Sequence, residues 1–365
     1  MKTKLNKNYM LYFLLACFGM FLYTFDNHTI TSIQDSLRIS YEDGLVSRGL
    51  IGTIYNGLDA LFPFSLFEEG VQVRTLLIGT VVVYLLLAFM VKKSMAVVDE
   101  SLKSFMGYFF MGYAMLFVGT FSAKRNFGGL HLFMIAVTIL GIMAILFWNC
   151  KWLCLPLSIV GVLIDVDYSL LYFGILFFIL LYEYEERKRK MDLVLLWITT
   201  VIQVGVFLYF QLEEHSVLGK ENEYRMQNIV EFPIYLMLIS PYLYIGGRYL
   251  IEVFRQIPKE KRGRYFGLVF GSILVLPCFL FENQYGRFFF ALLTYYVLIF
   301  TYLVVKKDVY FVSVLKAAVE KNKGNQIYLM VFAGTILLVP YWDRHISSIV
   351  YRISDVLNGE WLHLW

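Results

Sequence analysis

Charge is scarce in this chain: only 16% of its 365 residues are Asp, Glu, Lys or Arg, against 59% hydrophobic. Water-soluble domains carry roughly 25% charged and about 45–50% apolar residues. A fold of this length could not hide so much apolar surface from water, so a soluble globular protein is excluded. Cysteine is also sparse. Cys17, Cys150, Cys154 and Cys278 all lie in or beside apolar runs, and with no CxxC pair or metal-type spacing they argue against a disulfide framework or a metal site. Proline is rare, and no Pro/Gly/Ser-rich linker divides the chain; no internal repeat is visible. The apolar run 9–25 follows Lys2, Lys4 and Lys7 in the manner of a signal peptide, yet Asp26-Asn27-His28 ends it without a small-x-small cleavage site. It is expected to remain as a first span.

Apolar runs recur along the whole length. A transmembrane helix needs about 20 residues at ~1.5 Å rise to cross a ~30 Å hydrocarbon core. Runs that approach this occupy 9–25, 76–91, 104–120, 130–149, 152–164, 168–182, 193–210, 233–250, 266–281, 288–305 and 326–340. The expected fold is therefore all-α: one polytopic integral membrane domain over 1–365 with about 11 transmembrane helices. Span 152–164 is short, which predicts a tilted, broken or re-entrant element; alternatively 152–182 is one long bent segment. Two loops are long enough to fold over the membrane, 26–75 and 211–232. Within 308–324, Phe311, Val314, Leu315, Ala318 and Val319 share one helical face, the pattern of an interfacial amphipathic helix.

Lys and Arg set the orientation. With the N-terminus cytoplasmic and the C-terminus extracytoplasmic, the inner segments hold 22 Lys and Arg against 10 Asp and Glu, and the outer segments 10 against 18. The clusters Lys92/Lys93/Lys103, Arg187 to Lys190, Arg255 to Arg264 and Lys306/Lys307 all fall inside.

Cytoplasmic loops this short leave no room for a soluble catalytic domain, so chemistry is expected at the outer face. Four polar places stand there. The first is the glycine-rich stretch from Tyr41 to Gly52, in which Arg48 has little neighbouring bulk. A guanidinium offers paired donors suited to phosphate oxygens; the plainer reading is a snorkelling arginine at a helix start. The second is Lys124-Arg125-Asn126 with His131, cations on the face that disfavours them, which suit either phosphate binding or the anchoring of span ends. The third is Asp165-Val166-Asp167, two carboxylates between apolar runs with almost no loop. Charge at mid-membrane costs roughly 2.5–3.5 kcal/mol on insertion scales, so these acids should face a wet cavity or a cation, or else form a hydrated hairpin tip. A partly desolvated carboxylate can serve as general base. The fourth is the turn Glu282-Asn283-Gln284-Tyr285-Gly286-Arg287-Phe288, where a Glu282–Arg287 salt bridge closing the turn is the structural alternative. Asp343, Arg344 and His345 follow the last span, and His28, His215 and His363 sit on polar loops where solvation suffices.

The element G-x-x-x-R-G-L-x-G at Gly44, Arg48, Gly49, Leu50 and Gly52, with the late Gly286-Arg287-Phe288 turn, resembles the multi-pass O-antigen and capsular polysaccharide polymerases of bacteria (Wzy-type, including the EpsG-like branch). The likeness rests on these two motifs and the plan of ten to fourteen spans. The chain departs from the family pattern in carrying Leu45 where an aromatic often stands, Ser47 where a second basic residue often precedes the arginine, and Asn283-Gln284 where an aspartate often precedes Gly-Arg. The resemblance implies transfer of an oligosaccharide from an undecaprenyl-diphosphate carrier to another carrier-linked repeat unit at the extracytoplasmic face, with no cofactor and no nucleic-acid partner. Other polysaccharide-assembly proteins are candidate partners, and the bacterial inner membrane is the implied location. Arg48, Lys124, Arg125, His131 and Arg287 are the expected substrate-binding groups for the diphosphate. Asp165 or Asp167 is the expected base, with Glu282 in reserve.

Two other functions share these features. A GT-C-type glycosyltransferase using a polyprenyl-phosphate sugar resembles the chain in having acids in its first outer loop, here Glu42-Asp43, and a GT-C-like arrangement of the fold would go with it. A lipid-linked glycan transporter or flippase would show repeated halves with broken helices at the midplane, for which the sequence has no sign. A purely structural membrane subunit is the last alternative.

Overall fold

The computed structural model describes residues 9–24, 37, 39–41, 49–63, 65–122, 129–213, 244, 247–271 and 285–321. All regular structure among them is helical: α1 (Tyr9–Thr24), α2 (Gly49–Asp59), α3 (Glu69–Val97), α4 (Glu100–Ser122), α5 (Leu130–Leu146), α6 (Cys154–Ile164), α7 (Val166–Arg187), α8 (Lys190–Glu213), α9 (Arg262–Phe270), α10 (Tyr285–Val305) and α11 (Val309–Lys321). A further helical stretch occupies 247–256, and 3-10 turns precede α6 and α9 at Lys151–Leu153 and Lys259–Lys261.

Three of these helices are long and apolar enough to cross a membrane, within Val71–Val97, Glu100–Ser122 and Lys190–Phe210; shorter apolar helices lie at Tyr9–Leu22, Leu130–Leu146, Lys151–Ile164 and Phe290–Val305. The second expected span, 76–91, is the apolar middle of a longer helix of 29 residues, since α3 continues through Gln72 and Arg74 at one end and Lys92 and Lys93 at the other. The runs 233–250 and 266–281 lie largely, and 326–340 entirely, outside the described residues, as does the loop 211–232 beyond Glu213.

Uninterrupted apolar stretches without glycine–proline punctuation favour helix throughout, and the breaks have local causes. Pro156 falls in the first turn of α6, where its missing N–H costs no intrahelical bond. α5, α7 and α10 each run into a non-glycine residue in the left-handed region, Asn149 (φ 50), Lys188 (φ 50) and Lys307 (φ 57). Such a residue stops a helix by turning the chain just past its end.

α7 is the hub. It packs against α5, α6, α8, α9 and α10, while α1 lies along α4 and α3 along α4 and α5. Tyr113, Phe117 and Phe121 of α4 interlock with Phe290 of α10 at ring separations of 5.1–6.2 Å, and the Tyr113 hydroxyl donates to Thr294 Oγ1 at 3.1 Å. The outward faces are apolar as well: Leu11, Leu15, Phe18 and Leu22 on α1 and Val194, Trp197, Val201 and Leu208 on α8 stand exposed. A protein in water would not leave such contiguous apolar stripes uncovered.

The segment 152–182 is a hairpin and not one bent span. Gly141 of α5 meets both the Cys154 thiol, which lies 3.8 Å from its carbonyl oxygen, and the side chain of Leu176. Cys154 and Leu176 stand eleven residues to either side of Asp165, so α6 and α7 fold back on each other at that residue. Lys151 and Glu183, paired at 3.1 Å, close the hairpin at its open end.

α11 forms over the region expected to be amphipathic, but its apolar face lies on protein. Phe311, Val312, Val314 and Leu315 are buried against the bundle, with α11 packed on α4 and α10.

Candidate functional site

Two ends of the bundle carry polar chemistry, and the α6–α7 hairpin separates them. From Lys151 to Asp165 is fourteen residues, roughly 21 Å at ~1.5 Å per residue.

At the Asp165 end the chain breaks from α6 into α7 through a single extended residue, with Asp165 at φ −158° and ψ 115°. Its backbone N–H reaches the Gly161 carbonyl at 3.3 Å and its own carbonyl accepts the Ser169 N–H at 3.0 Å, so one residue ends α6 and starts α7. The Asp165 side chain is 2% exposed. Over this tip lies the glycine-rich element, with α2 packed on α6. The Tyr41 hydroxyl donates to the Leu163 carbonyl at 3.3 Å, the Tyr41 N–H donates to Thr53 Oγ1 at 2.8 Å, and Thr53 donates in turn to the Gly49 carbonyl at 2.8 Å. Burial raises the Tyr41 phenol above its ordinary pKa.

Two glycines make this packing feasible. A Cβ on Gly52 would stand 1.9 Å from the Ile39 carbonyl oxygen, and one on Gly49 would stand 2.5 Å from the Tyr41 ring. The first is a backbone approach that no larger residue permits, and the second would force the Tyr41 ring to move. The glycines of the motif therefore seat Tyr41, Leu37 and Ile39 against α2, and α2 packs against α6.

Other expected residues share this level. Met134 and Val137 pack on Gly161, so the start of α5, with half-buried His131 in its first turn, is level with the Asp165 tip. Phe290 packs on Phe121, which brings the start of α10, where Gly286 and Arg287 lie, level with the end of α4. Arg48, Lys124, Arg125 and Glu282, like Gly44, lie outside the described residues, as do the side chains of Asp167 and Arg287.

The Lys151 end is an ion network that sequence reading treated only as topogenic charge. Glu183, 1% exposed, lies at its centre. Its Oε1 accepts from the Tyr302 hydroxyl at 2.6 Å and from Lys306 Nζ. Its Oε2 is held by charge and not by a directed hydrogen bond, with Lys151 Nζ at 3.1 Å and Arg187 Nε at 3.4 Å. Lys151 also pairs with Asp192 at 2.9 Å. Burial pushes the Glu183 carboxyl up, but Lys306 and Tyr302, with the charge of Lys151, outweigh it and hold the group at about 2.

Beside it, Asp308 Oδ2 accepts from Tyr182 at 2.7 Å and from Tyr265, while Oδ1 caps α11 by accepting the Phe311 N–H at 2.9 Å. The Arg264 guanidinium lies over the Tyr182 and Tyr265 rings at 5.4 and 5.0 Å. Asp99 takes Lys316 at 2.7 Å and Lys307 at 3.4 Å; the Lys316 hydrogen bond, above all, keeps its pKa below the usual carboxylate range. A sequence signal for this network existed in Glu183, an acid immediately after an apolar run with Arg187 one turn on. Its partners are 32, 119 and 123 positions away and carry no local mark.

No protein-family model, curated protein or solved structure matches this chain.

Proposed function

We propose that this protein is a bacterial inner-membrane polysaccharide polymerase, which joins undecaprenyl-diphosphate-linked oligosaccharide repeat units into capsule, O-antigen or exopolysaccharide at the extracytoplasmic face. In this reading the chain makes eleven passes with its N-terminus inside, the Lys151 end is cytoplasmic and the Asp165 end faces out. The observation that carries the proposal is the buried Asp165 carboxyl at a hairpin tip, roofed by the glycine element that bears Arg48. With Lys151 at the inner boundary of a ~30 Å core, a tip roughly 21 Å away lies within the outer leaflet.

Asp165, with Asp167 one residue on and Glu282 in reserve, takes the proton of an acceptor sugar hydroxyl. The freed oxygen attacks the anomeric carbon of the donor, a C–O glycosidic bond forms, and the bond to the diphosphate breaks. The electron pair leaves with undecaprenyl diphosphate, whose charge Arg48, Lys124, Arg125, His131 and Arg287 are positioned in sequence to receive.

Removal of the protein from its host should abolish long polymer while single lipid-linked repeat units persist. Arg48→Ala, at normal protein level in the membrane, should do the same. Long polymer surviving in the deletion would refute the function; long polymer surviving only in Arg48→Ala would refute the role of that arginine.

A further inference from the structure

The helical stretch 247–256 and α9 form a hairpin at the Lys151 end. Phe254 of the first leg and Phe270 of the second bring their rings to 6.1 Å, and Tyr265 of α9 donates to the same Asp308 oxygen as Tyr182. Residues 257–261 make the turn. The Arg262 Nε–H donates to the Ile257 carbonyl at 3.1 Å, which holds that guanidinium across it. From there α9 runs into the bundle, where Gly267 and Gly271 lie against the Phe178 ring, one helical turn deeper in α7 than Tyr182.

The outward side of this hairpin has two parts. Lys259, Lys261 and Arg262 stand exposed at the turn. None of them pairs with a carboxylate among the described residues; Glu260 lies between them, and Glu252 is taken by Arg255 at 3.6 Å. Phe266 and Phe270 follow Arg262 at four-residue steps on one face of α9. They are 59% and 40% exposed, with rings 4.6 Å apart. Exposed Ile251 and half-buried Phe254 continue the apolar strip on the first leg. Arg262 to Phe270 spans roughly 12 Å at ~1.5 Å per residue, the reach from a headgroup into hydrocarbon. The basic run at the end of α7 is built differently, since Arg187 is neutralised by Glu183 and Lys188 by Glu185.

We infer that the 247–270 hairpin binds an anionic phospholipid, its phosphate held by Lys259, Lys261 and Arg262 and an acyl chain lying along Phe266 and Phe270. Lys and Arg clustered at the end of a membrane helix attract anionic headgroups, and a guanidinium gives paired donors to phosphate oxygens. The apolar strip decides between a lipid and an acidic protein. Phe266 opens the apolar run 266–281, so whatever meets the cations must also cover aromatic rings at the edge of the hydrocarbon. The inference is independent of the polymerase reading and needs only that the chain sits in a bilayer.

The full-length protein, purified in neutral detergent and titrated with phosphatidylglycerol or phosphatidylcholine, tests it through the thermal midpoint. Phosphatidylglycerol should raise the midpoint at much lower concentration than phosphatidylcholine. A cation beside an anionic lipid surface is worth roughly fivefold in affinity. The triple variant Lys259→Gln, Lys261→Gln, Arg262→Gln should therefore need about a hundredfold more phosphatidylglycerol for the same rise. Lys259→Gln with Lys261→Gln keeps the Arg262 bond to Ile257, covers the case in which the triple variant does not fold, and should lose about thirtyfold. Phe266→Ala with Phe270→Ala leaves the cations in place and should lose roughly tenfold. A control set, Lys92→Gln, Lys93→Gln and Lys190→Gln, neutralises three exposed cations elsewhere at this end and should titrate like the parent. An equal loss in the control overturns the inference in favour of general surface charge. A parental titration in either hairpin charge variant overturns it outright. An equal rise with inorganic phosphate, or no loss in the double Phe variant, overturns it by leaving the acyl chain without a role.

Discussion

The two ends of the bundle bury polar groups by opposite means. At the Lys151 end, carboxylates and cations from different helices neutralise one another: Glu183 of α7 joins Lys306 beyond α10, Lys151 of the turn before α6 and Tyr302 of α10. At the Asp165 end, close backbone approach at Gly49 and Gly52 seats a roof through hydroxyl-to-carbonyl bonds from Tyr41 and Thr53. Mutual neutralisation holds helices together and leaves little charge to offer a ligand. A roof built on glycines and hydroxyls lies over the buried Asp165 residue, at the place where substrate is proposed to bind. Among the described residues, then, paired charge builds the Lys151 end and close backbone approach builds the Asp165 end; on the proposed function the first is scaffold and the second is the place for chemistry.

Substitutions can break that division. The largest effect is expected from Asp165→Asn, which should slow repeat-unit transfer by about 10²–10⁴-fold if the carboxyl is the base, with the thermal midpoint in detergent little changed. Transfer in isolated membranes, followed by polymer length, measures it; a parental rate would remove Asp165 from the chemistry. Next, Glu183→Ala strands buried cations at the opposite end and should cost about 3–5 kcal/mol of stability, seen as a lower unfolding temperature and reduced accumulation. A variant of Glu183 that folded normally yet made no polymer would move function to the wrong end.

Acid should act on the same carboxylate. Its folded pKa of about 2 lies below the ordinary value of 4.5, so its contribution is fully present above pH 4.5 and is lost as the pH falls toward 2. The full shift corresponds to about 3 kcal/mol. Unfolding midpoints between pH 6 and 3 should fall in the parent, and fall less in Glu183→Gln. Gly52→Ala places a methyl against the Ile39 carbonyl and should cost about 1–3 kcal/mol while lowering polymer yield, because the roof must shift. Smallest of all, Tyr41→Phe removes one bond to the Leu163 carbonyl and should cost about 1 kcal/mol; a parental midpoint with shortened polymer would assign Tyr41 to substrate and not to the roof.

The helices themselves were legible in composition and hydrophobic run length. Runs 9–25, 104–120, 130–149 and 288–305 closely anticipate α1, α4, α5 and α10, because in a greasy chain backbone groups must bond within their own segment. The glycine element was legible as a stretch of little side-chain bulk, and the structure shows what that bulk would meet, the Ile39 carbonyl at Gly52. Less was visible in the amphipathic segment: periodicity marks an apolar face on α11 but does not say whether lipid or protein covers it, and Phe311, Val314 and Leu315 meet α4 and α10.

By itself the sequence determined an all-helical, lipid-compatible chain, the helix boundaries set by charge and glycine, and the candidate acids and arginines. Only the tertiary structure decided that 152–182 doubles back at Asp165, that Lys151, Glu183 and Lys306 form one buried network, and that α2 roofs the hairpin tip. The physical reason is range. Apolar length and helix stops act over a few neighbouring residues, whereas a buried ion pair joins groups more than a hundred positions apart, and nothing along the chain records which partner satisfies which charge.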